Sequence, residues 1–136
     1  MPATANSIIT PQTPQTASVA LGATANTVLT APTNTTLLMT AGANGGRLTR
    51  LEALASATQA ATQVQVYRSV DGGTTKTLIR AKALAGYSLT TTSDVPVLDF
   101  GYSDDGPLIL AASEKLYVAS AAAVTGINAR GEWADY

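Results

Sequence analysis

Short runs of apolar and β-branched residues, separated by turn-forming residues, recur along most of this chain. The clearest pair is an alternating run at residues 64–68 and a second run at residues 77–81, joined through Asp71, Gly72 and Gly73. Asp-Gly pairs supply the positive φ angles that tight hairpin turns need. This pattern predicts a β-hairpin and indicates a fold built from short antiparallel strands.

Other runs of the same character follow one another with turn residues between them. They lie at residues 36–40, 95–100, 108–110, 116–119 and 127–136. Pro96 favours an edge strand or a strand start for the run that contains it. Many short strands at this spacing are typical of a β-sandwich or jelly roll. We therefore predict an all-β fold, a β-sandwich or jelly-roll-like single domain over residues 18–136.

Residues 47–63 fit two interpretations. Leu48, Leu51 and Ala55 fit one face of a helix, and the segment is rich in good helix formers. The alternation of Leu51, Ala53 and Ala55 with Glu52 fits a strand equally well. Since the segments on both sides read as strands, we favour a strand followed by a loop.

The first 17 residues differ from the rest of the chain. They contain Pro2, Pro11 and Pro14 and no charged side chain, and Ile8 and Ile9 are their bulky aliphatic residues. Proline fixes φ and keeps the preceding residue extended. The pattern predicts an extended N-terminal arm over residues 1–17. This arm is either a loose tail or a segment that pairs with or lies across a neighbouring subunit.

The composition disfavours catalysis. The chain has no His and no Cys, and only 12% of its residues are charged. His is the usual general base near neutral pH, and Cys is the usual soft nucleophile and metal ligand. We therefore predict no catalytic residues, no metal site and no bound cofactor, and a protein that is not an enzyme.

Charge and hydropathy exclude further classes of partner. The formal net charge is −1, so no basic face is expected that would neutralise the phosphates of a nucleic acid. No apolar run approaches the roughly 20 residues needed to cross a bilayer, and residues 1–7 lack the features of a signal peptide. We expect a soluble protein made in the cytoplasm.

The candidate chemical motifs are explained by turns. Asp71, Asp104 and Asp105 lie in predicted turns, where short acids accept hydrogen bonds from backbone N–H groups. The glycine-rich stretch at residues 42–46 lacks the Lys-Ser/Thr that completes a phosphate-binding loop. We interpret it as a loop that precedes a strand.

Two aromatic residues close the sequence, Trp133 and Tyr136. They either cap the core or contact a partner, since aromatic side chains are enriched at interface hot spots. The Thr-rich strands also carry few of the charges that protect exposed sheet edges. Some edges are therefore expected to be covered in an assembly.

Four segments, taken in order, resemble a family of small virion proteins found in the structural modules of tailed bacteriophages. Residues 42–51 are similar to its "GGANGxRIxRI" opening, and residues 64–72 to its "VRLFxxDG" hairpin. Residues 116–120 resemble its "SLRAST" strand, and residues 129–136 its "xxGGDF"-like end. The resemblance spans about residues 25–136 and leaves the N-terminal arm uncovered.

The resemblance implies a β-sandwich component of the virion without enzymatic activity, and it supports a strand at residues 47–55. Within this class we expect a capsid decoration protein that binds the major capsid protein on the outer surface of the head as a homo-oligomer, with a trimer as our guess. The expected contact residues are Ile8, Ile9, Pro11, Pro14, Trp133 and Tyr136.

Two alternatives stay open. The first is a tail or head–tail connector component of the same particle. The second is a carbohydrate-binding sandwich module for host adsorption, which would need exposed aromatic side chains on one face. Its candidate residues are Tyr67, Tyr87, Tyr102 and Tyr117.

Overall fold

The computed structural model describes residues 11–136, which form nine β-strands and contain no helix. The strands are β1 (Thr13–Ala20), β2 (Thr36–Thr40), β3 (Gly46–Ala55), β4 (Thr62–Ser69), β5 (Thr77–Leu84), β6 (Val97–Asp99), β7 (Leu108–Leu110), β8 (Lys115–Ser120) and β9 (Ile127–Asp135). They make two antiparallel sheets that pack face to face. The predicted all-β sandwich is confirmed.

The strand order follows a nested pattern. Sheet I has the order β1-β9-β3-β6, with β7 also paired to β3, and sheet II has the order β2-β8-β4-β5. Because β6 and β7 pair with opposite ends of β3, they act as one strand interrupted by residues 100–107. First pairs with last, β1 with β9, then β2 with β8, β3 with β6 and β7, and β4 with β5. The chain is therefore one long antiparallel hairpin, rolled so that β9 also meets β3 and β8 meets β4.

The core lies between the two sheets and is built by alternation along the strands. On sheet I it includes Leu48, Leu51 and Ile127, and on sheet II Val66 and Leu116, each at most 1% exposed. Burying an aliphatic side chain of this size contributes roughly 1.5–3 kcal/mol. Successive residues of a strand point to opposite faces, so the intervening residues face away from the core.

The strand interpretation of residues 47–55 is confirmed, and the helix alternative is wrong. Strand β3 runs from Gly46 to Ala55 and pairs with β9 on one side and with β6 and β7 on the other. Ala53 lies opposite Ala129, and both are buried. Alanine is present here because these strands lie inside the sandwich, where small side chains let the facing sheet approach. Helix propensity is overridden by this pairing.

The predicted hairpin is confirmed as β4 and β5. At its turn Asp71 accepts hydrogen bonds from Thr75 N (2.8 Å) and Ser69 Oγ (2.7 Å). The backbone hydrogen bond from Thr75 is the main reason that the pKa of the Asp71 carboxyl falls to about 2. In the second predicted turn the Gly106 N–H donates to Ser103 Oγ at 3.2 Å, so a serine hydroxyl takes the role expected of the aspartates.

Strand β1 begins earlier than the sequence suggested. The expected boundary between arm and sandwich, after residue 17, falls inside β1, and residues 13–17 pair with residues 131–135 of β9. Most of the side chains of β1 are exposed because it is an edge strand. An exposed polar edge strand has the same composition as a free arm, so only the pairing separates the two.

The connection between β1 and β2, residues 21–35, covers the outer face of sheet II. Gln65 and Tyr67 alternate with core valines on β4, so they point away from the core, yet they are 1% and 0% exposed. Asn26 of the connection donates from Nδ2 to Gln65 Oε1 (2.9 Å) and to the Tyr67 hydroxyl (2.8 Å). Its Oδ1 accepts from Thr33 N at 3.1 Å. A buried polar cluster therefore fastens the connection onto the sheet.

Residues 11–136 contain no helix long and apolar enough to cross a membrane.

Candidate interaction surface

Within the part of the chain that the structure describes, no segment covers the outer face of sheet I as the β1–β2 connection covers sheet II. Alternation places Thr16 and Ser18 of β1 on this face, beside Glu132 and Arg130 of β9. Thr16, Ser18 and Arg130 are exposed, and Glu132 is partly exposed. This face, together with the free edge of β1 and the cleft described below, is named the sheet I surface.

Among residues 11–136, no strand pairs with the outer backbone edge of β1. The Leu21 N–H donates to the Ile127 carbonyl (2.8 Å), so in this register the odd-numbered residues of β1 point their backbone groups towards β9. The N–H groups of Thr16, Ser18 and Ala20 therefore point away from the ladder. Pro14 has the same parity, and its missing N–H removes a donor from the free side only.

The other sheet edges are protected in ways that β1 is not. Strands β6 and β7 have three residues each, and β5 carries Arg80 and Lys82. The pairing of β2 is irregular between Leu37 and Met39. Short length, charge and bulges are the usual devices that prevent edge-to-edge association. Strand β1 has eight residues, an unbroken register and no charged side chain, so Pro14 alone blunts it.

A cleft of about 720 Å³ opens at the N-terminal end of β1. It lies between β1, β9, β3 and the loop that separates β6 from β7. Its lining residues are Pro11, Pro14, Gln15, Thr16, Arg47, Thr49, Asp104, Glu132, Trp133 and Ala134. The two prolines and Ala134 supply apolar surface, and Arg47 and Glu132 supply charge of both signs.

Arg47 joins β3 to the far wall of the cleft. Its Nη2 donates to the backbone carbonyl of Asp104, which holds residues 100–107 against the sheet. Its Nε is buried and has no hydrogen-bond partner among the described residues. An unsatisfied buried donor costs about 1–3 kcal/mol. Through Nη2 the arginine therefore positions the loop at one wall of the cleft.

Beyond the cleft, a row of charges crosses the face from β3 to β9. Glu52 forms an ion pair with Arg130 and approaches Arg50 Nε at 3.6 Å, and Arg130 Nη2 lies 3.9 Å from Glu132 Oε1. The arginine side chains are 44–52% exposed. Exposed pairs of this kind contribute about 0–1 kcal/mol each. Their alternating signs leave the row nearly neutral, which suits a contact surface better than an attractor of charged ligands.

The structure brings three of the predicted contact residues together and leaves Tyr136 outside their group. Pro11, Pro14 and Trp133 line the cleft. Trp133 is only 9% exposed and packs in the core, and its Nε1 donates to Asp135 Oδ1 at 3.0 Å. The interpretation of Trp133 as a core cap therefore accounts for most of its surface, and only an edge is left for a partner.

Tyr136 lies outside the cleft lining, half-buried, with its backbone N–H bonded to the Gly45 carbonyl at 3.2 Å. Ile8 and Ile9 lie outside the described residues.

Sequence reasoning missed Arg47, Thr49, Asp104 and Glu132 as cleft residues. They come from β3, β9 and the loop between β6 and β7, and no local pattern joins those segments. The alternation of residues along their strands could have predicted that the side chains of Arg47 and Glu132 face outward. Their proximity depends on the pairing of β3 with β9.

The four tyrosines considered for carbohydrate binding do not share an open face. Tyr67 is fully buried beneath the β1–β2 connection. Lys76 Nζ lies 4.7 Å from the ring centre of Tyr117, and the Arg80 guanidinium lies 5.1 Å from that of Tyr102. Tyr87 is half-buried, and its backbone pairs with Gln59. No observation on these residues favours a sugar-binding platform.

Within residues 11–136 no three Asp, Glu, His or Cys side chains come together as a metal site would require. Comparison of the chain with protein-family models, with curated proteins and with solved structures found no match.

Proposed function

We propose that the protein is a structural component of a tailed-bacteriophage virion, a decoration protein that binds the major capsid protein on the outer surface of the head. It would be made in the host cytoplasm and would work as a homo-oligomer through contact area, without a cofactor, a nucleic acid or a membrane as partner. The sequence motifs at residues 42–51 and 64–72 suggest this class, and the sheet I surface suggests how such a protein would attach.

The observation that carries the proposal is the free edge of β1. It is an uncharged strand of eight residues with outward-facing N–H groups, continuous with a cleft at its N-terminal end. Exposed edges of this length favour strand addition by another chain. The segment that precedes the edge contains Ile8 and Ile9, and with Pro11 and Pro14 it forms the proposed contact with neighbouring subunits.

The topology adds a second line of support. We infer from the nested strand pairs that the sandwich is a jelly roll, because a long antiparallel hairpin rolled into two sheets has this connectivity. Jelly rolls serve as rigid building units in viral capsids and in lectins. The fold class is compatible with many functions, so this point supports the proposal only together with the open edge.

The expected binding mechanism is multivalent. A repeating shell presents many equivalent sites, so modest contacts from each copy add up when an oligomer engages several of them. Contacts made by uncharged residues are weakly screened, so binding should persist at high salt.

The test uses particles from the phage or induced prophage that encodes the chain, and from the same source with the gene deleted. The expected result is that recombinant protein binds to the gene-deleted heads and saturates at a fixed ratio to the major capsid protein. Electron microscopy of the rebound particles should place it on the outer head surface. Density on the tail or at the head–tail junction would support the connector alternative instead. Absence from wild-type particles would overturn both assignments.

A further inference from the structure

We propose that the free edge of β1 and its adjoining cleft receive the N-terminal segment, residues 1–10, of a second copy of this chain. Copies of the protein would thus be joined by exchanged N-terminal strands. This inference deepens the proposed function, because it names the contact that would hold the homo-oligomer together.

The position of the segment is the first argument. Residues 1–10 enter the described structure at Pro11, which itself lines the cleft. Ten extended residues span roughly 33–36 Å. The segment is therefore tethered beside the cleft, and it is long enough to pair along an edge of eight residues such as that of β1.

The chemistry of the segment matches that of the edge. Residues 2–10 carry no charged side chain, and the neighbouring β1 carries none. As a strand, the segment would supply the carbonyl groups that the N–H groups of Thr16 and Ser18 lack. Ile8 and Ile9 would point to opposite faces, so that one of them meets the apolar cleft surface of Pro14 and Ala134.

The local sequence disfavours pairing of the segment with its own β1. A return along the same edge requires a tight turn near residues 10–12. Two-residue hairpin turns need positive φ angles and are dominated by Gly and Asn. Pro11 is held at a negative φ, and the Gln12 N–H is already bonded to the Asp135 carbonyl at 2.8 Å. A two-residue return onto its own edge is therefore disfavoured, and this favours docking of the segment on another copy.

Engineered disulfides distinguish exchange from self-docking. Because the chain has no cysteine, each introduced thiol is unique. Variants Ile9→Cys and Thr16→Cys are purified separately, one of them isotopically labelled, then mixed through a denaturation and refolding cycle and oxidised. The expected product is a covalent heterodimer linked between positions 9 and 16. Its yield should exceed that of an Ile9→Cys with Thr90→Cys control by roughly tenfold or more, because docking raises the effective concentration of the thiols.

The double variant Ile9→Cys/Thr16→Cys tests whether the segment docks on its own chain instead. Exchange predicts covalent dimers and higher species, whereas self-docking predicts a monomer closed by an internal disulfide. An internal disulfide as the main product, or heterodimer yields no higher than the control with both Ile8→Cys and Ile9→Cys, would overturn the proposal.

Blocking the edge gives an independent readout. The variant Thr16→Pro/Ser18→Pro removes only N–H groups that point away from β9, so the sandwich should stay folded by circular dichroism. Light scattering should show loss of the oligomer, whereas the control Thr16→Val/Ser18→Ala, which retains both N–H groups, should keep it. A wild-type protein that is monomeric in solution, or a proline variant that stays oligomeric, would contradict strand exchange.

The two proposals fail separately. A protein that exchanges segments but is absent from the particles refutes the virion assignment alone. A monomer that still decorates gene-deleted heads refutes the exchange and the homo-oligomer but leaves the virion assignment standing.

Discussion

The outer face of sheet II is covered over β4 by the β1–β2 connection, whereas no segment among residues 11–136 covers the outer face of sheet I. On sheet II, Asn26, Gln65 and Tyr67 form a hydrogen-bonded cluster that is at most 1% exposed. On sheet I the equivalent layer holds partly exposed charges such as Arg130 and Glu132, and the outward N–H groups of the edge strand β1 beside it have no partner strand among residues 11–136. The outer face of sheet II is thus covered over β4 by the protein's own residues, and the outer face of sheet I is suited to contact with a partner.

The difference shows how polar residues can serve opposite roles on one fold. A buried polar group that lacks a partner is costly, and a satisfied cluster specifies one arrangement of the segments that it joins. Exposed charges make weak pairs that readily exchange partners. The cover on sheet II should therefore be cooperative with folding, and the residues of the sheet I surface should tolerate substitution with little loss of stability.

Removing the side-chain amide of Asn26, at the centre of the cluster that fastens the β1–β2 connection, should lower the free energy of unfolding most. Asn26→Ala deletes the donors to Gln65 and Tyr67 and the acceptor for Thr33 N. We expect a loss of about 3 kcal/mol in the free energy of unfolding, since buried polar groups are left unpaired. Denaturant titration measures it. The matched control is Asn34→Ala in the same connection, where one exposed hydrogen bond to Ala25 is lost and about 0.5 kcal/mol is expected. Equal losses in both variants would mean that the cover is not fastened by its buried cluster.

Two neighbouring proline substitutions test which residues of β1 point their backbone N–H groups towards β9. Val19→Pro removes an N–H that points towards β9 and introduces a ring against that strand, so about 2 kcal/mol should be lost. Ser18→Pro removes an N–H on the free side and should change the free energy of unfolding by less than about 0.5 kcal/mol. Thermal unfolding at low protein concentration reports both values. A larger loss for Ser18→Pro than for Val19→Pro would mean that the even-numbered residues of β1, and not the odd-numbered ones, bond to β9.

Removing the Tyr67 hydroxyl should lower the free energy of unfolding by less than Val19→Pro does, and by an amount that depends on pH. Tyr67→Phe loses the hydrogen bonds to Gln65 and Asn26 and should destabilise the protein by about 1.5 kcal/mol near neutral pH. Burial raises the pKa of Tyr67 above its ordinary value of 10.0, while the hydrogen bond from Asn26 opposes the shift. The unfolded state therefore loses its proton first, and the stability from this group declines as the pH rises above about 10.

Unfolding measured from neutral to alkaline pH should show the gap between the wild type and Tyr67→Phe narrowing. Tyr117→Phe is the control, since its partly exposed ring lies under Lys76. A gap that stays constant through the alkaline range would show that the Tyr67 hydroxyl titrates as it does in the unfolded chain.

The smallest effect is expected on the open face. Glu52→Gln removes the ion pairs with Arg130 and Arg50 at a partly exposed site. We expect a loss of about 0.5 kcal/mol that shrinks further in high salt, because exposed pairs are screened. Urea titrations at low and high salt measure this loss. A large loss that is independent of salt would mean that the charge row is structural, and the contrast between the two faces would then fail.

Local pattern was sufficient for much of the fold. The alternation around Asp71 located the β4–β5 hairpin, and the alternation of Leu51 with Glu52 located β3. These predictions succeeded because apolar and polar residues alternate along a strand that has one buried face. The glycine-rich stretch at residues 42–46 was interpreted correctly as a loop up to Gly45, which has a φ of 83°, whereas Gly46 is already the first residue of β3.

The candidate surface depended on contacts between distant segments. The start of β1 at Thr13 could not be separated from a free arm, since its exposed Thr and Gln residues pair only through their backbone with β9. Gln65 and Tyr67 looked like ordinary outward-facing strand residues until the β1–β2 connection buried them. Trp133 had two interpretations, and its packing in the core accounts for most of its surface.

Composition and periodicity specified short antiparallel strands, because those properties belong to neighbouring residues. Which face of the sandwich is covered, and which edge stays free, was decided when the first and last strands paired across almost the whole chain. Long-range backbone hydrogen bonds do not depend on side-chain identity, so they leave no comparable local pattern.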